Sequence, residues 1–368
     1  MKNSNEQREF LKSARRIVVK AGTRVLVQRN GRPDGKRIET LVSEIAALQH
    51  RGCQMTSVSS GAVGAGIEAL GMKTRPKAVA DLQMAAAVGQ TRLMSLYDKL
   101  YSKRKCQIGQ ILLTHDALKV RERHLNARNT MMNLLRNGII PVVNENDTVS
   151  TEEIQFGDND LLAVLVSILV DADALVLLTT ADGLREPAGN NRTRRVKCVQ
   201  EINDDILGLA HGKGSELSSG GMASKLTSAR EATRNGIPVI IANGRKDNVL
   251  ENIFTGKDEG TLFLPKETTI SKRKSWLAFF HRVEGTLTVD DGAATALREK
   301  GKSLLPIGIK AVDGKFGIGS LIRIQTKDGH VIARGLSEFS SEAIQSIKGT
   351  KTTNEYAEVI HRDNLVIL

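Results

Sequence analysis

The sequence predicts an α/β protein with a mainly parallel sheet that carries helices on both faces, followed by a small β-rich domain. Short apolar runs typical of buried strands alternate with longer segments of helical periodicity until Pro265. Beyond that proline, short alternating strands are separated by Asp-Gly pairs, at Asp291, Asp313 and Asp328. Three parts are therefore expected: a first domain over residues 1–264, a polar and basic linker over residues 265–275, and a second domain over residues 276–368.

The first predicted strand leads into a lysine and a glycine turn. Ile17–Val19 is followed directly by Lys20 and, after one residue, by Gly22. A buried strand that ends this way places an ammonium group at the carboxyl edge of a sheet, where open α/β folds bind ligands. The alternative is a lysine that simply leaves the strand for solvent. Ser60 and Gly61 form a similar junction, between the predicted strand Met55–Val58 and a helix.

Helices and further strands continue the alternation. Leu41, Ile45 and Leu48 recur at helical spacing, and a longer helix is predicted from Ala78 to Tyr101. We interpret its apolar stripe from Leu82 to Leu96 as core and as a candidate subunit interface. The remaining strands of the first domain are predicted at Gln107–Leu113, Ile139–Val143, Ala174–Thr179 and Pro238–Ala242.

Two clusters of Asn and Asp lie about ten residues apart, as Asn144–Asp147 and Gly157–Asp160. Each cluster alone is typical of a turn or a helix cap, and Asp158 or Asn159 would be sufficient to cap the apolar helix that follows. Together they indicate a pocket for a ligand that carries an ammonium and a carboxylate. Asp accepts hydrogen bonds from an ammonium, whereas Asn both donates and accepts.

The segment Ser219–Lys225 (SGGMASK) opens a predicted helix that ends at Gly236. A glycine turn at the start of a helix directs backbone N–H groups at an anion, and Lys225 adds a mobile positive charge. This pattern predicts a phosphate site, and it is not a Walker loop because GxxxxGK[ST] is absent from it. A glycine-capped surface turn would produce the same letters.

The motifs VVKAGT, SSGAVGAG, NEND, GDND and SGGMASK closely resemble, in this order and at these separations, the glutamate 5-kinases of the amino acid kinase family. The resemblance runs from about Ile17 to the C-terminus, and NEND followed by GDND is its most specific part. It implies ATP-dependent phosphorylation of the side-chain carboxylate of L-glutamate to L-glutamyl 5-phosphate, the first step of proline biosynthesis. The segments SLLPIGI, GSLIRI and VIARGL resemble the PUA domain at the C-terminus of many members.

The resemblance also implies roles for individual residues. Lys20 and Lys225 would flank the transferring phosphoryl group, and Asp160 would hold these lysines or help anchor the metal–nucleotide. The glutamate-binding positions would be Ser60, Gly61, Asn144, Asp147 and Asn159, with Asp147 as the partner of the substrate ammonium. ATP would be bound by Lys20, Gly22, Thr179, Thr180, Ser219, Gly220, Gly221, Met222, Ala223, Ser224 and Lys225.

ATP and Mg²⁺ are the expected cofactors, with no metal site formed by the protein alone. No general base is needed, because a Glu carboxyl with a pKa of about 4.3 is already ionised at neutral pH. The sequence departs from the family at Thr179-Thr180, where Thr-Asp is common. This departure puts any acidic contact to adenine or ribose in doubt, whereas backbone contacts could survive it.

The sequence leaves two alternatives: an RNA-binding protein acting through the PUA-like domain, or a kinase of another small carboxylate. The net charge of +12 favours RNA at first sight. However, residues 276–368 carry 12 Lys and Arg against 11 Asp and Glu, and only 3% of the chain is aromatic. An RNA-binding module should concentrate basic charge and offer stacking aromatics, so nucleic acid is not an expected partner. The NEND–GDND pair argues against the other kinases.

The remaining expectations concern location and assembly. Cys53, Cys106 and Cys198 are odd in number and lack CxxC spacing, which argues against a disulfide framework and predicts a cytoplasmic protein. No apolar stretch reaches transmembrane length, so no membrane association is expected. The resemblance implies a homo-oligomer, either dimer or tetramer, and feedback inhibition by proline at the glutamate pocket and Asn144–Phe156.

Overall fold

The computed structural model describes most of the chain, namely residues 6–28, 32–114, 116, 118, 120–149, 159–189, 192–211, 221–265, 283–350 and 358–368. The chain divides into two compact units. One comprises Met1–His115 and Asn126–Thr268, and the other comprises Asp116–Leu125 and Thr269–Leu368. Apart from Pro265, the predicted linker lies outside the described residues, so the domain boundaries stay a prediction.

Up to Phe263, strands and helices alternate as the sequence predicts, except that residues 185–199 contain three short strands in succession. The strands are β1 (Arg16–Ala21), β2 (Gln54–Val58), β3 (Ile108–Leu113), β4 (Ile140–Glu145), β5 (Ala174–Thr179), β6 (Arg185–Pro187), β7 (Thr193–Arg195), β8 (Cys198–Val199), β9 (Val239–Asn243) and β10 (Thr261–Phe263). The α-helices are α1 (Thr23–Leu26), α2 (Gly35–His50), α3 (Ala62–Ala69), α4 (Val79–Ser102), α5 (Arg121–Arg136), α6 (Asp160–Leu169), α7 (Asp204–Gly208), α8 (Gly221–Arg234) and α9 (Val249–Phe254).

Eight of these strands form one sheet in the order β3-β4-β2-β1-β5-β9-β10-β8. Neighbouring strands are parallel except for β10, which runs antiparallel to β9. The central strands β1, β5 and β9 are buried over nearly their whole length, as is typical of a parallel sheet covered on both faces. The predicted fold class of this unit is confirmed. Strand β10, which runs antiparallel to β9, is not predicted from the sequence.

The register of the sheet sets the position of the first lysine. Lys20 lies opposite Val58 of β2 on one side and Leu177 of β5 on the other, close to the carboxyl end of each strand. Ser59 and Ser60 directly follow β2. The turns after β1, β2 and β5 therefore meet at one edge of the sheet.

Helix α4 supplies core residues through the apolar stripe identified in the sequence. Leu82, Ala86 and Leu93 are buried, which confirms these positions as core, whereas Met84 is 45% exposed and does not belong to it. The use of the stripe as a subunit interface stays a prediction. Two glycines allow α4 to cross α3 at backbone contact distance. A Cβ at Gly89 would lie 1.8 Å from the carbonyl oxygen of Ala62, and one at Gly66 would lie 1.7 Å from that of Ala85. The crossing thereby requires glycine at both positions.

The second unit is a small sheet with two short helices. Its strands are β11 (Gly285–Val289), β12 (Ile309–Asp313), β13 (Leu321–Gln325), β14 (Val331–Leu336) and β15 (Leu365–Ile367), in the order β12-β11-β13-β14-β15, and its helices are α10 (Asp291–Lys300) and α11 (Ser341–Ile347). The Asp-Gly pairs at Asp313 and Asp328 form turns as predicted, with Gly314 and Gly329 at positive φ. The pair at Asp291 instead lies in the first turn of α10, because the carboxylate of Asp290 accepts a hydrogen bond from the Ala293 N–H and caps the helix there.

Candidate active site

Two lysines and one aspartate form a buried cluster at the carboxyl edge of the large sheet. The Nζ of Lys20 lies 2.6 Å from Oδ1 of Asp160, and the Nζ of Lys225 lies 2.7 Å from Oδ2 of the same carboxylate. Asp160 is fully buried, and the side chains of Lys20 and Lys225 are 2% and 8% exposed. A buried charge is costly unless it is paired, and here one carboxylate pairs with two ammonium groups. The formal charges of these three side chains sum to +1.

Each member of this cluster comes from a different element. Lys20 is the second-to-last residue of β1, Asp160 is the first residue of α6, and Lys225 is the fifth residue of α8. Helices that start at the carboxyl edge of a parallel sheet direct their N-terminal N–H groups toward the same region. The structure therefore brings together the two lysines that the sequence placed in separate motifs.

A chain of amide groups lies beside the lysine cluster. Asn159 Nδ2 donates to the carbonyl oxygen of Ser59 and to Oδ1 of Asn144, each at 2.7 Å. Asn144 Nδ2 in turn donates to Oε1 of Gln90, at 2.9 Å. Asn159 occupies the N-cap position of α6, but its side chain makes no capping hydrogen bond. The two Asn residues predicted to bind substrate are therefore in direct contact.

The Ser59 side chain forms a hydrogen bond with a tyrosine of helix α4. Its Oγ lies 2.8 Å from the hydroxyl oxygen of Tyr97. Complete burial raises the pKa of Tyr97 to about 12, so the phenol remains protonated at neutral pH and keeps this hydrogen bond. The turn after β2 is thus anchored to the core next to the site.

A pocket with about 470 Å³ of empty space, part of it open to solvent, lies next to the amides. The predicted substrate-binding residues line it together: Ser60, Gly61, Asn144, Asp147 and Asn159. Ser60 is only 5% exposed, and its Oγ has no hydrogen-bond partner among the described residues. A buried hydroxyl of this kind is stabilised when a bound ligand supplies the partner.

Gly61 shapes the wall of this pocket. Its φ of 103° lies in the left-handed region, where residues with a side chain are strained, and a Cβ there would point into open space. Gly61 is the N-cap of α3, so the backbone N–H groups that follow it are directed toward the pocket. The positive φ therefore explains why a glycine occupies this position.

Six lining residues received no binding role from the sequence, and three of them carry a polar side chain: Thr23, Arg75 and Glu145. Arg75 is the basic side chain among the described lining residues, and Glu145 is a buried acid next to Asn144. Arg75 lies in the loop between α3 and α4, in a polar segment with no recognisable motif. Its spatial proximity to Asp147 arises only from the fold.

The residues predicted to bind the nucleotide lie in the turns around the lysine cluster or directly before Lys225. Gly22 donates its N–H to the carbonyl oxygen of Leu178 at 3.1 Å, and a Cβ on it would lie 3.9 Å from Lys20 Nζ. Thr179 ends β5 and Thr180 follows it, at the same edge of the sheet. Gly221–Ser224 form the first turn of α8, directly before Lys225. Ser219 and Gly220 lie outside the described residues.

Asp182, the acid nearest to the Thr179-Thr180 departure, is engaged elsewhere. Both of its carboxylate oxygens accept hydrogen bonds from Nη1 of Arg185, at 3.0 and 2.8 Å. Within the described ranges, no group of three or more His, Cys, Asp or Glu side chains is arranged to hold a metal ion.

A sequence model of the amino acid kinase family matches residues 15–243, which is more than half of the chain. The chain belongs to the amino acid kinase family. This finding confirms the family resemblance of the motifs and the α/β fold class. A PUA domain model matches residues 285–358, which identifies the β-rich second unit as predicted.

Curated relatives cover nearly the whole chain. A glutamate 5-kinase from Moorella thermoacetica is 46% identical over 373 residues, spanning 99% of each chain. A second one, from Syntrophus aciditrophicus, is 44% identical over 375 residues, spanning 99% of this chain and 97% of the relative. Among solved structures, carbamate kinase from Giardia lamblia bound to AMP-PNP has a TM-score of 0.50 at 16% identity, covering 69% of this chain and 100% of that chain. That similarity shows the amino acid kinase fold alone.

Membrane association was not expected from the sequence. In the part of the chain that the structure describes, every helix is too short or too polar to cross a lipid bilayer.

Proposed function

We propose that the protein transfers the γ-phosphoryl group of ATP to the side-chain carboxylate of L-glutamate, producing L-glutamyl 5-phosphate and ADP, the first step of proline biosynthesis. The observation that carries this proposal is the convergence of Lys20 and Lys225 on Asp160, next to a pocket lined by Asn and Asp. Glutamate 5-kinases with 44–46% identity over nearly the full length support the same substrate.

The chemistry requires two anions to approach each other. An oxygen of the glutamate carboxylate attacks the γ-phosphorus, and the bond from this phosphorus to the oxygen that bridges it to the β-phosphate breaks. The attacking carboxylate is already ionised at neutral pH, so no proton needs to be removed. The barrier lies in electrostatic repulsion and positioning, which cationic side chains and N–H groups lower.

The lysine cluster fits this requirement. Two ammonium groups share one carboxylate, so the three side chains retain a positive charge with which to stabilise the transferring phosphoryl group. Asp160 holds both ammonium groups in place while they are desolvated. The first turn of α8 adds backbone N–H groups for the phosphates, and Mg²⁺ bound to ATP would neutralise further negative charge.

The pocket offers separate partners for the two ends of an amino acid. Asp147 and the Oδ1 of Asn159 accept hydrogen bonds and suit the ammonium group of glutamate. Arg75 and the Ser60 hydroxyl donate and suit its α-carboxylate. With both ends held in this pocket, the side-chain carboxylate of glutamate would extend toward Lys20 and Lys225.

The RNA-binding alternative is not favoured, because curated kinases match the chain over both units and the PUA domain region has nearly balanced charge. Assembly as a dimer or tetramer and inhibition by proline stay predictions. Residues 150–156 of the segment predicted to respond to proline lie outside the described residues. If proline overlaps the glutamate pocket, its inhibition should be competitive with glutamate.

The decisive experiment measures ADP release and traps any acyl phosphate with hydroxylamine. L-Glutamate should produce a hydroxamate, whereas N-acetylglutamate, aspartate and UMP should give rates near background. Glutarate, which lacks the ammonium, and 4-aminobutyrate, which lacks the α-carboxylate, should be poor substrates because each leaves one end of the pocket unpaired. Glutamate-independent ADP release, or a hydroxamate formed preferentially from another acceptor, would overturn the proposal.

A further inference from the structure

The amide chain beside the pocket has a fixed direction. The carbonyl oxygen of Ser59 can only accept a hydrogen bond, so the atom of Asn159 that faces it, at 2.7 Å, must be the Nδ2 donor. The second hydrogen on that nitrogen goes to Asn144 Oδ1, which leaves Asn144 Nδ2 as a donor. Gln90 Oε1 accepts from it at 2.9 Å and completes the chain.

This direction determines which atom Asn159 offers to a ligand. Both of its amide hydrogens are used within the protein, and its side chain does not cap α6. What Asn159 contributes to the pocket is therefore the Oδ1 acceptor. An acceptor suits an ammonium group and disfavours a carboxylate, so the same residue in the opposite orientation would reverse the preference.

We infer that Gln90 is a positioning residue for amino acid recognition, because its side-chain oxygen accepts from Asn144 Nδ2 and thereby keeps Asn144 Oδ1 facing Asn159. This second acceptor holds the Asn159 amide in the orientation that the Ser59 carbonyl oxygen selects, with its oxygen available to the substrate ammonium. This inference rests on the proposed function and extends it to a residue that does not line the pocket. Asn144 is 2% exposed, so the loss of its acceptor cannot be compensated by bulk water.

The packing of α4 explains how Gln90 reaches this position. Gly89 allows α4 to cross α3 with a hypothetical Cβ only 1.8 Å from the Ala62 carbonyl oxygen, and Gln90 is the next residue along the helix. Bulkier packing at the crossing would move Gln90 away from β4. Within the sequence, Gln90 interrupts an apolar helix and belongs to no motif, so only the fold reveals its contact with Asn144.

Two substitutions separate hydrogen bonding from shape. Gln90→Met keeps the length of the side chain and removes the acceptor, whereas Gln90→Glu keeps an acceptor whichever way its carboxylate rotates. We expect Gln90→Met to raise the KM for glutamate about tenfold, with kcat and the KM for ATP changing less than about twofold, since roughly one hydrogen bond is lost. Gln90→Glu should restore the KM for glutamate to within about threefold of the wild type.

A second measurement addresses the ammonium directly. The dissociation constants of L-glutamate and glutarate are compared by calorimetry for the wild type and for Gln90→Met. The variant should lose about tenfold of the preference for glutamate, because glutarate has no ammonium for the Asn159 oxygen to recognise. Gln110→Met, on the exposed side of β3, serves as the matched control and should leave the preference unchanged.

The outcomes distinguish the possible failures. If wild-type protein does not phosphorylate glutamate, the proposed function fails before any variant is compared. If the wild type is active but Gln90→Met retains the wild-type KM for glutamate and the wild-type preference for glutamate over glutarate, the role of Gln90 is overturned. The role would also be overturned if Gln90→Met and Gln90→Glu lowered kcat, the affinity for ATP and the melting temperature to the same extent as each other. That pattern indicates a purely structural role.

Discussion

The sheet edge of the first unit and the core of the second unit bury different kinds of side chain. At the sheet edge, Lys20, Asn144, Asp160 and Lys225 are all buried. Within residues 283–350 and 358–368 of the second unit, the buried polar residues are serines, and the core consists of aliphatic side chains with one phenylalanine. The first region thus carries buried charge and amide groups that the second region does without.

This difference indicates where the protein gives up stability for function. Burying an ion cluster or an amide chain gains little stability over apolar packing, because desolvation offsets the attraction. The second unit stabilises its helices by local means instead, for example through the Asp290 cap of α10 and the Ser340 cap of α11.

The largest effect is expected from removing the shared carboxylate. Asp160→Asn removes the carboxylate that pairs with both Lys20 and Lys225, so kcat should fall at least about a hundredfold. The free energy of unfolding in urea should fall by about 3–5 kcal/mol. The matched control is Asp182→Asn, which breaks an exposed pair with Arg185 and should cost less than about 1 kcal/mol. Equal costs for the two variants would contradict the contrast between buried and exposed charge.

An intermediate effect is expected at the α3–α4 crossing. Gly89→Ala places a methyl group 1.8 Å from the Ala62 carbonyl oxygen, and the forced separation of the helices should lower the free energy of unfolding by about 1–3 kcal/mol. Gly292→Ala, in the first turn of α10, meets only an ordinary contact at 3.5 Å and should be neutral or stabilising by up to about 1 kcal/mol. Thermal unfolding of both variants tests this, and a stable Gly89→Ala would show that the crossing is not tightly packed.

The smallest effect concerns acid stability in the second unit. The hydrogen bond from the Ala293 N–H lowers the pKa of Asp290, so this carboxylate stabilises the fold above its unfolded pKa of about 3.9. That contribution is lost as the pH falls through the lowered folded pKa. Asp290→Asn caps the helix without titrating. Its free energy of unfolding should therefore be lower than that of the wild type by less than about 1 kcal/mol at pH 7, and this difference should shrink toward pH 3 as the wild type loses its carboxylate. Urea unfolding at the two pH values measures this difference. A difference that grows on acidification would contradict the expected stabilisation by the ionised carboxylate. Kinase activity at pH 7 should not change.

Much of the fold and part of the site could be predicted because their signals are local. Ile17–Val19 and Ala174–Thr179 are apolar runs of strand length, and the motif around Lys225 starts a helix with good helix formers. Arg75 and Gln90 had no such signal, since one lies in a polar loop and the other inside a helix. Asp291-Gly292 was wrongly predicted as a turn, because the cap at Asp290 competes with turn formation.

Sequence alone determined the types of the elements, the residue chemistry at their ends and the family to which the chain belongs, because periodicity, capping and motif spacing act over a few neighbouring residues. The tertiary structure decided that Lys20 and Lys225 share Asp160, since the strand order places the ends of β1 and the starts of α6 and α8 at one edge. It also decided the orientation of Asn159, because a carbonyl oxygen from another strand end can only accept its hydrogen.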